Sequence, residues 1–200
     1  MLRTLVDRHR PPPDPRRSSD ADDVALIARV ARRELPAFEA FYRGYHDRLH
    51  RFIGLMTQHA AIVEEVLNDT MLVVWNRAST FNGLSKVSTW VFAIAYRTAL
   101  KALRAHDEPV EEPEADRYPS PGAGPEQQRS AEESRAAVAR ALDSLSHEQR
   151  SVLVLAYYHD LPYAEIALII GCPVDTVKTR AFHGRRRLRA RLSGEPEDWL

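Results

Sequence analysis

The sequence predicts an all-α protein of two small helical domains joined by a flexible, acidic, proline-rich linker. Apolar residues recur at three- and four-residue spacing over long stretches, and no stretch alternates convincingly with period two. Five prolines, Pro109, Pro113, Pro119, Pro121 and Pro125, fall with Gly122 and Gly124 in one span without such periodicity. The helical pattern then resumes. These observations divide the chain into a disordered arm (1–21), a first helical domain (22–105), the linker (106–130), a second helical domain (131–193) and an acidic tail (194–200).

In the first domain Val24, Ile27, Val30 and Ala31 mark one helix, and Pro36 stands where a second can begin, because a proline's missing N–H costs nothing in a first turn. Phe38, Phe41, Tyr45, Leu49, Phe52 and Leu55 continue that second helix along one apolar face. A third helix is expected from about Ala61 to Asn76, a loop from Ser79 to Ser85 and a fourth helix from about Val87 to Arg104. In the second domain a helix over about Ala131 to Asp143 precedes one opened by the capping pattern Ser146-His147-Glu148-Gln149. Two more follow, Tyr163 to Ile170 and Val174 to Arg191, separated by Gly171-Cys172-Pro173, a glycine to end one helix and a proline to open the next.

A 200-residue chain with 44% hydrophobic residues can bury real cores. Cys172 is the only cysteine, which excludes an internal disulfide and a multi-cysteine zinc site and favours a reducing, cytoplasmic location. The arginines at positions 3, 8 and 10 run into Pro11-Pro12-Pro13 without the apolar run of a signal peptide, and Trp90 to Tyr96 is too short to span a bilayer. No membrane insertion is expected. The formal net charge is +0, but the charges are segregated. Acids crowd His106 to Glu133, whereas Arg185, Arg186, Arg187, Arg189 and Arg191 lie close together near the C-terminus.

Between Tyr163 and Leu188, Ala167, Gly171 and Val177 fall where a helix-turn-helix needs a small residue, a tight turn and an apolar plug. Val177, Ala181, Gly184 and Leu188 form an inward stripe on its second helix. Thr176, Thr179, Arg180, His183 and Arg187 form the other face, with hydroxyls and cations suited to base edges and phosphates in a major groove. On charge pattern alone a solvated basic helix fits equally well; the position after a well-formed turn favours the groove.

Two blocks of sequence now resemble a known family. Glu64-Glu65-Val66-Leu67-Asn68-Asp69-Thr70-Met71-Leu72-Val73-Val74-Trp75 is similar to the E-D-L-V-Q-E-T-F-L-x-V-W segment of extracytoplasmic-function (ECF) sigma factors, the promoter-specificity subunits of bacterial RNA polymerase. Phe81-Asn82-Gly83 through Ser88-Thr89-Trp90-Val91-Phe92-Ala93-Ile94-Ala95 matches the segment that follows it in that family. Asp160-Leu161-Pro162-Tyr163-Ala164-Glu165-Ile166-Ala167 and Pro173-Val174-Asp175-Thr176-Val177-Lys178-Thr179-Arg180 resemble the family's second domain. Asn68-Asp69 replaces a commoner Gln-Glu pair, Val87 stands where an aromatic is frequent, and Pro162 replaces a serine cap.

The resemblance implies a sigma region 2 bundle followed by a sigma region 4 helix-turn-helix, with no catalysis and no cofactor. It implies docking on core RNA polymerase through Glu65, Asn68 and Asp69, and capture of an unpaired minus-ten strand by Asn82, Ser85, Lys86 and Ser88, with Arg97 and Lys101 along its backbone. It implies reading of the minus-thirty-five duplex by Thr176, Lys178, Thr179, Arg180, His183 and Arg187. Core polymerase, promoter DNA and an anti-sigma factor are the expected partners. Two other readings stand beside it. A helix-turn-helix regulator acting on duplex DNA without polymerase would have no need of the segment from Glu64 to Leu103. A metal-dependent enzyme would use His46, His50 and His59, but His46 and His50 have no third ligand nearby in sequence, and no metal is expected. Trp75 and Trp90 are expected in the core, and Cys172 as a small apolar residue of the turn.

Overall fold

The computed structural model describes residues 20–57, 59–106 and 141–193, and contains α-helices, a short 3₁₀ turn and a π-helical turn. Most of the expected arm, the linker beyond residue 106 and the acidic tail lie outside the described residues, as does most of the helix expected over 131–143. Four helices form the N-terminal group: α1 (Asp20–Ala31), α2 (Leu35–Thr57), α3 (Ala60–Arg77) and α4 (Val87–His106). The C-terminal group has α5 (His147–Leu153), α6 (Tyr163–Ile170) and α7 (Val174–Ser193). No strand occurs among the described residues.

The apolar periodicity becomes the core of the first group. Phe41, Tyr45, Leu49, Phe52, Ile53 and Met56, on one face of α2, are buried against Val63, Val66, Leu67 and Met71 of α3 and Val91, Phe92 and Ala95 of α4. The turn from α1 to α2 places Arg33 at φ 65°, a left-handed conformation that costs a non-glycine residue about 1–2 kcal/mol. Its side chain offsets that cost by holding down the end of α3, donating to the Trp75 carbonyl at 3.0 Å with the guanidinium carbon 5.2 Å from the Trp75 ring centroid. Trp75 packs at 5.0 Å on Phe38 and Trp90 at 5.8 Å on Phe81; both indoles are partly buried against the core.

The Tyr45 hydroxyl donates to Asp23 at 2.6 Å, and both residues are buried. Burial, then the Asp23 carboxylate, pushes the phenol far above its ordinary value of 10.0. The unfolded chain releases this proton above about pH 10 while the folded chain retains it, so the associated stability is complete below that pH and falls as pH rises further. Tyr45→Phe removes a donor from a buried carboxylate. We expect it to lower unfolding free energy at neutral pH by about 1–3 kcal/mol and to flatten the alkaline fall, as measured by urea denaturation at neutral and alkaline pH.

In the second group the Ser146 box forms as expected: its hydroxyl accepts from the Gln149 backbone N–H at 3.3 Å and the Gln149 side-chain Oε1 accepts from the Ser146 backbone N–H at 3.4 Å. Gly171 ends α6 at φ 76°, a region L side chains rarely adopt, and its N–H donates to the Ala167 carbonyl at 2.8 Å. Gly184 has a different reason. A Cβ there would stand 3.0 Å from the end of the Leu153 side chain, so α7 crosses α5 closely enough that any side chain would require Leu153 to shift.

A five-residue π turn, Val154–Tyr158, follows α5. The local pattern did not announce it. It delivers Tyr158 and His159 onto the first group, where Arg51 sits 5.6 Å from the Tyr158 ring and His159 meets Phe52 at 6.0 Å and Phe92 at 4.9 Å. Arg150, 5% exposed, joins the groups again: Nε donates to the Leu142 carbonyl at 3.0 Å and a terminal nitrogen to the Met56 carbonyl at 3.2 Å. Its desolvation lowers the guanidinium's pKa. The sequence shows two helical units in tandem; the structure packs them on each other.

Candidate nucleic-acid interface

On α3 the residues Glu65, Asn68 and Asp69 are exposed on one face, three and four positions apart. Leu72, 56% exposed, extends the same stripe by one turn, although helical pattern alone counts it with the apolar residues of that helix. The Tyr42 hydroxyl donates to Asn68 at 3.3 Å, and Tyr42 also lines a groove of about 350 Å³ with Leu35, Phe38, Glu39 and Arg43. The face is therefore acidic with an apolar margin. The signal for Leu72 was present: an apolar residue at i+7 from Glu65 on a helix whose Ile62, Val63, Val66, Leu67, Met71 and Val74 are buried.

The loop before α4 is held by its own side chains. Asn82 Oδ1 accepts from the Leu84 N–H at 3.1 Å, and the Ser85 hydroxyl donates to the Lys86 carbonyl at 3.3 Å. This turn is why Asn82 is exposed in a defined orientation. At its tip Leu84 is 87% exposed, an apolar side chain that the sequence reading passed over. Ser88 is half-buried on the first turn of α4, whereas Thr89 is 3% exposed. Arg97, Lys101 and Arg104 follow on the solvent side of α4 at i, i+4 and i+7.

On α7 the inward stripe is as expected, with Val177, Ala181, Gly184 and Leu188 buried. The opposite side divides. Lys178, Thr179 and His183 are exposed together with Phe182 and Arg186, which the sequence reading had not selected, while Thr176 and Arg180 are half-buried along the flank. Arg187, though exposed, donates to the Ser144 carbonyl at 3.2 Å, and Lys178 pairs with Asp175 at 2.8 Å. Continuing the spacing from Lys178 and Thr179 by one turn finds Phe182 and by two turns Arg186. Cys172 is half-buried in the turn and accepts from Arg180 at 3.7 Å.

Arg180 faces α4. A cleft of about 530 Å³ between α4 and the C-terminal group is lined by Arg97, Lys101, Arg104 and Arg180 over Tyr96 and Leu100. Glu148 is the carboxylate among its lining residues, held below its ordinary pKa by its own backbone N–H and then by the Ser146 hydroxyl. Cations from both groups thus converge on one opening. His46 and His50 stack at 5.8 Å, beside Asp47 at 3.0 Å and Glu64 at 3.2 Å respectively. Among the described residues no set of three or more His, Cys, Asp or Glu is arranged to hold a metal ion, and no helix is long and apolar enough to cross a membrane.

Comparison with known proteins adds an independent line. Residues 41–108 match the family profile described as Sigma-70 region 2, and residues 135–188 match Sigma-70, region 4. The ECF RNA polymerase sigma factor SigK of Mycolicibacterium vanbaalenii is 31% identical over 171 residues, covering 82% of this chain and 86% of the relative. Two solved structures share the fold at 22% identity. CnrH, in complex with the cytosolic domain of CnrY, matches with a TM-score of 0.66 over 87% of this chain and 99% of its own. The sigma factor RpoE of Bartonella quintana, in complex with the anti-sigma factor NepR, matches with a TM-score of 0.63 over 80% and 98%.

Proposed function

The chain belongs to the ECF family of RNA polymerase sigma factors, the subunits that direct promoter-specific transcription, and from that premise we propose how its residues divide the work. The region 2 unit (22–105) docks on core polymerase through Glu65, Asn68 and Asp69, with Leu72 adding apolar contact beside the carboxylates. Its loop and α4 capture the minus-ten strand once that strand leaves the duplex: Asn82, Ser85 and Ser88 meet bases, Lys86 meets phosphate, and Arg97 and Lys101 follow the backbone. The region 4 unit (131–193) reads the minus-thirty-five duplex with α7, through Lys178, Thr179 and His183, with Thr176, Arg180 and Arg187 along its flank. The linker (106–130) lets the two units reach separate elements.

The observation that carries this reading is the placement of two kinds of donor set on two helical units. One is an amide- and hydroxyl-bearing loop suited to an unstacked base; the other is a cationic helix that follows a glycine turn and is suited to a groove. A regulator acting without polymerase is not favoured, because the region 2 match spans 41–108 and such a protein has no use for it. The protein adds no chemistry of its own, nucleotide transfer belonging to the polymerase, and it acts in the cytoplasm where that enzyme is. An anti-sigma factor is a further partner of this chain; the Bartonella sigma factor was solved in complex with one, NepR.

Run-off transcription tests the whole reading. Adding the purified chain to core polymerase over a genomic library is expected to yield a small set of start sites that share elements near minus ten and minus thirty-five. Duplex binding by the chain alone, with no start sites on addition of core, would contradict it.

A further inference from the structure

Glu165, on the first turn of α6, reaches out of its own helical group. Its side chain is only 16% exposed, with one oxygen 2.5 Å from the Lys86 ammonium and the other accepting from the Thr89 hydroxyl at 3.2 Å. Both donors belong to the loop and first turn of α4. Two other contacts join the groups: the His159 ring against Phe52 and Phe92, and the cleft where Arg180 faces Arg97, Lys101 and Arg104. A carboxylate receiving an ammonium on one oxygen and a hydroxyl on the other makes the bonds that the two non-bridging oxygens of a phosphodiester would make.

We propose that Glu165 is an internal mimic of a DNA phosphate: in the free chain it occupies Lys86 and Thr89 and holds the region 4 helices across the strand-reading face, so that Glu165 and the promoter strand compete for the same donors. The proposal rests on the assignment of that face to the minus-ten strand. The closed arrangement is poised rather than locked. Apolar packing around His159 favours it, while four cations around one cleft, against the single carboxylate of Glu148 among its lining residues, repel one another and oppose it. DNA shifts that balance by replacing the Glu165 carboxylate at Lys86 and Thr89, which removes a contact that holds the closed form. Arg180, half-buried in the cleft, is exposed by the same opening, so both readers become available together.

The test uses the full chain in three forms, wild type, Glu165→Ala and Glu165→Lys, together with the charge swap Lys86→Glu/Glu165→Lys. Small-angle scattering reports closure without reference to DNA. Anisotropy of a labelled mixed-sequence DNA strand reports access to the face. Both single variants are expected to enlarge the radius of gyration, the swap to restore it, and Glu165→Ala to bind the strand about three- to fivefold more tightly. An unchanged radius in both single variants overturns the proposal. Expansion without tighter strand binding overturns the competition. Asn82→Ala separates that failure from failure of the face itself: strand affinity indifferent to Asn82 as well means that the face was misassigned.

Discussion

Asp69→Arg is expected to weaken binding to core polymerase by on the order of 10- to 100-fold, or about 1.4–2.8 kcal/mol. Asp69 is exposed on α3 between Glu65 and Leu72, so it can give its charge to a partner without any change in this fold. A basic partner surface meets a carboxylate favourably and meets a guanidinium with repulsion, and like charge set face to face in an interface costs several kcal/mol at the upper end. Glu65→Arg, one turn earlier, is expected to do the same more weakly. Helix content measured by circular dichroism should be unchanged in both. Normal retention of both variants by immobilised core at moderate salt would place the docking surface elsewhere.

Arg180→Ala in the holoenzyme is expected to cost about 1–3 kcal/mol at the upstream element, roughly 5- to 150-fold, and to relax preference at one base pair. The reason is geometric: a guanidinium can bond the two acceptors of a guanine edge together, whereas an alanine offers nothing there. Lys178→Ala should differ in kind, weakening all duplexes alike and lowering the dependence of log affinity on log salt by about one unit, because a phosphate contact carries no sequence information. Competition binding of holoenzyme to a set of single-base variants, repeated at two salt concentrations, distinguishes the two. Arg180 lies in the cleft against α4 in the closed chain, so the effect belongs to the open, polymerase-bound form.

Local pattern was enough for the helices because each has a face whose residues the core needs. Phe41, Tyr45, Leu49 and Phe52 recur at helical spacing, and all are buried; Ser146 and Gln149 carry both halves of a capping box, and Gly171 takes the left-handed conformation that its place after α6 called for. The exposed stripe of α3 was legible for the same reason in reverse, three polar residues left over by an apolar face. What the sequence did not reveal depends on packing between segments far apart in the chain. The π turn at Val154–Tyr158 has no local signature; its effect is to set Tyr158 and His159 against Arg51, Phe52 and Phe92, residues 67 to 107 positions earlier. Arg150 reads as an ordinary surface cation, and becomes a buried link because carbonyls of Leu142 and Met56 happen to meet it. Glu165 reads as a first-turn carboxylate suited to the helix dipole, and its two partners are 76 and 79 positions away. The exposed face of α7 was half legible. Spacing alone cannot show that Arg180 lies on a flank shared with another helix while Phe182 and Arg186 are fully outward.

In the proposed division of roles, one helical unit reads a separated strand and the other a closed duplex. Holoenzyme binding to a fully duplex promoter and to the same promoter with its minus-ten region premelted tests it directly, with wild type, Asn82→Ala, Ser88→Ala and Arg180→Ala compared on both. Asn82→Ala and Ser88→Ala are expected to lose affinity on the premelted template, where an unstacked base is already offered, and to leave the upstream contact intact. Arg180→Ala is expected to lose affinity on both templates, and the loss should vanish when the upstream element is removed. Unchanged binding of the Asn82 and Ser88 variants to premelted DNA, or an Arg180→Ala loss that persists without the upstream element, would contradict the division of roles.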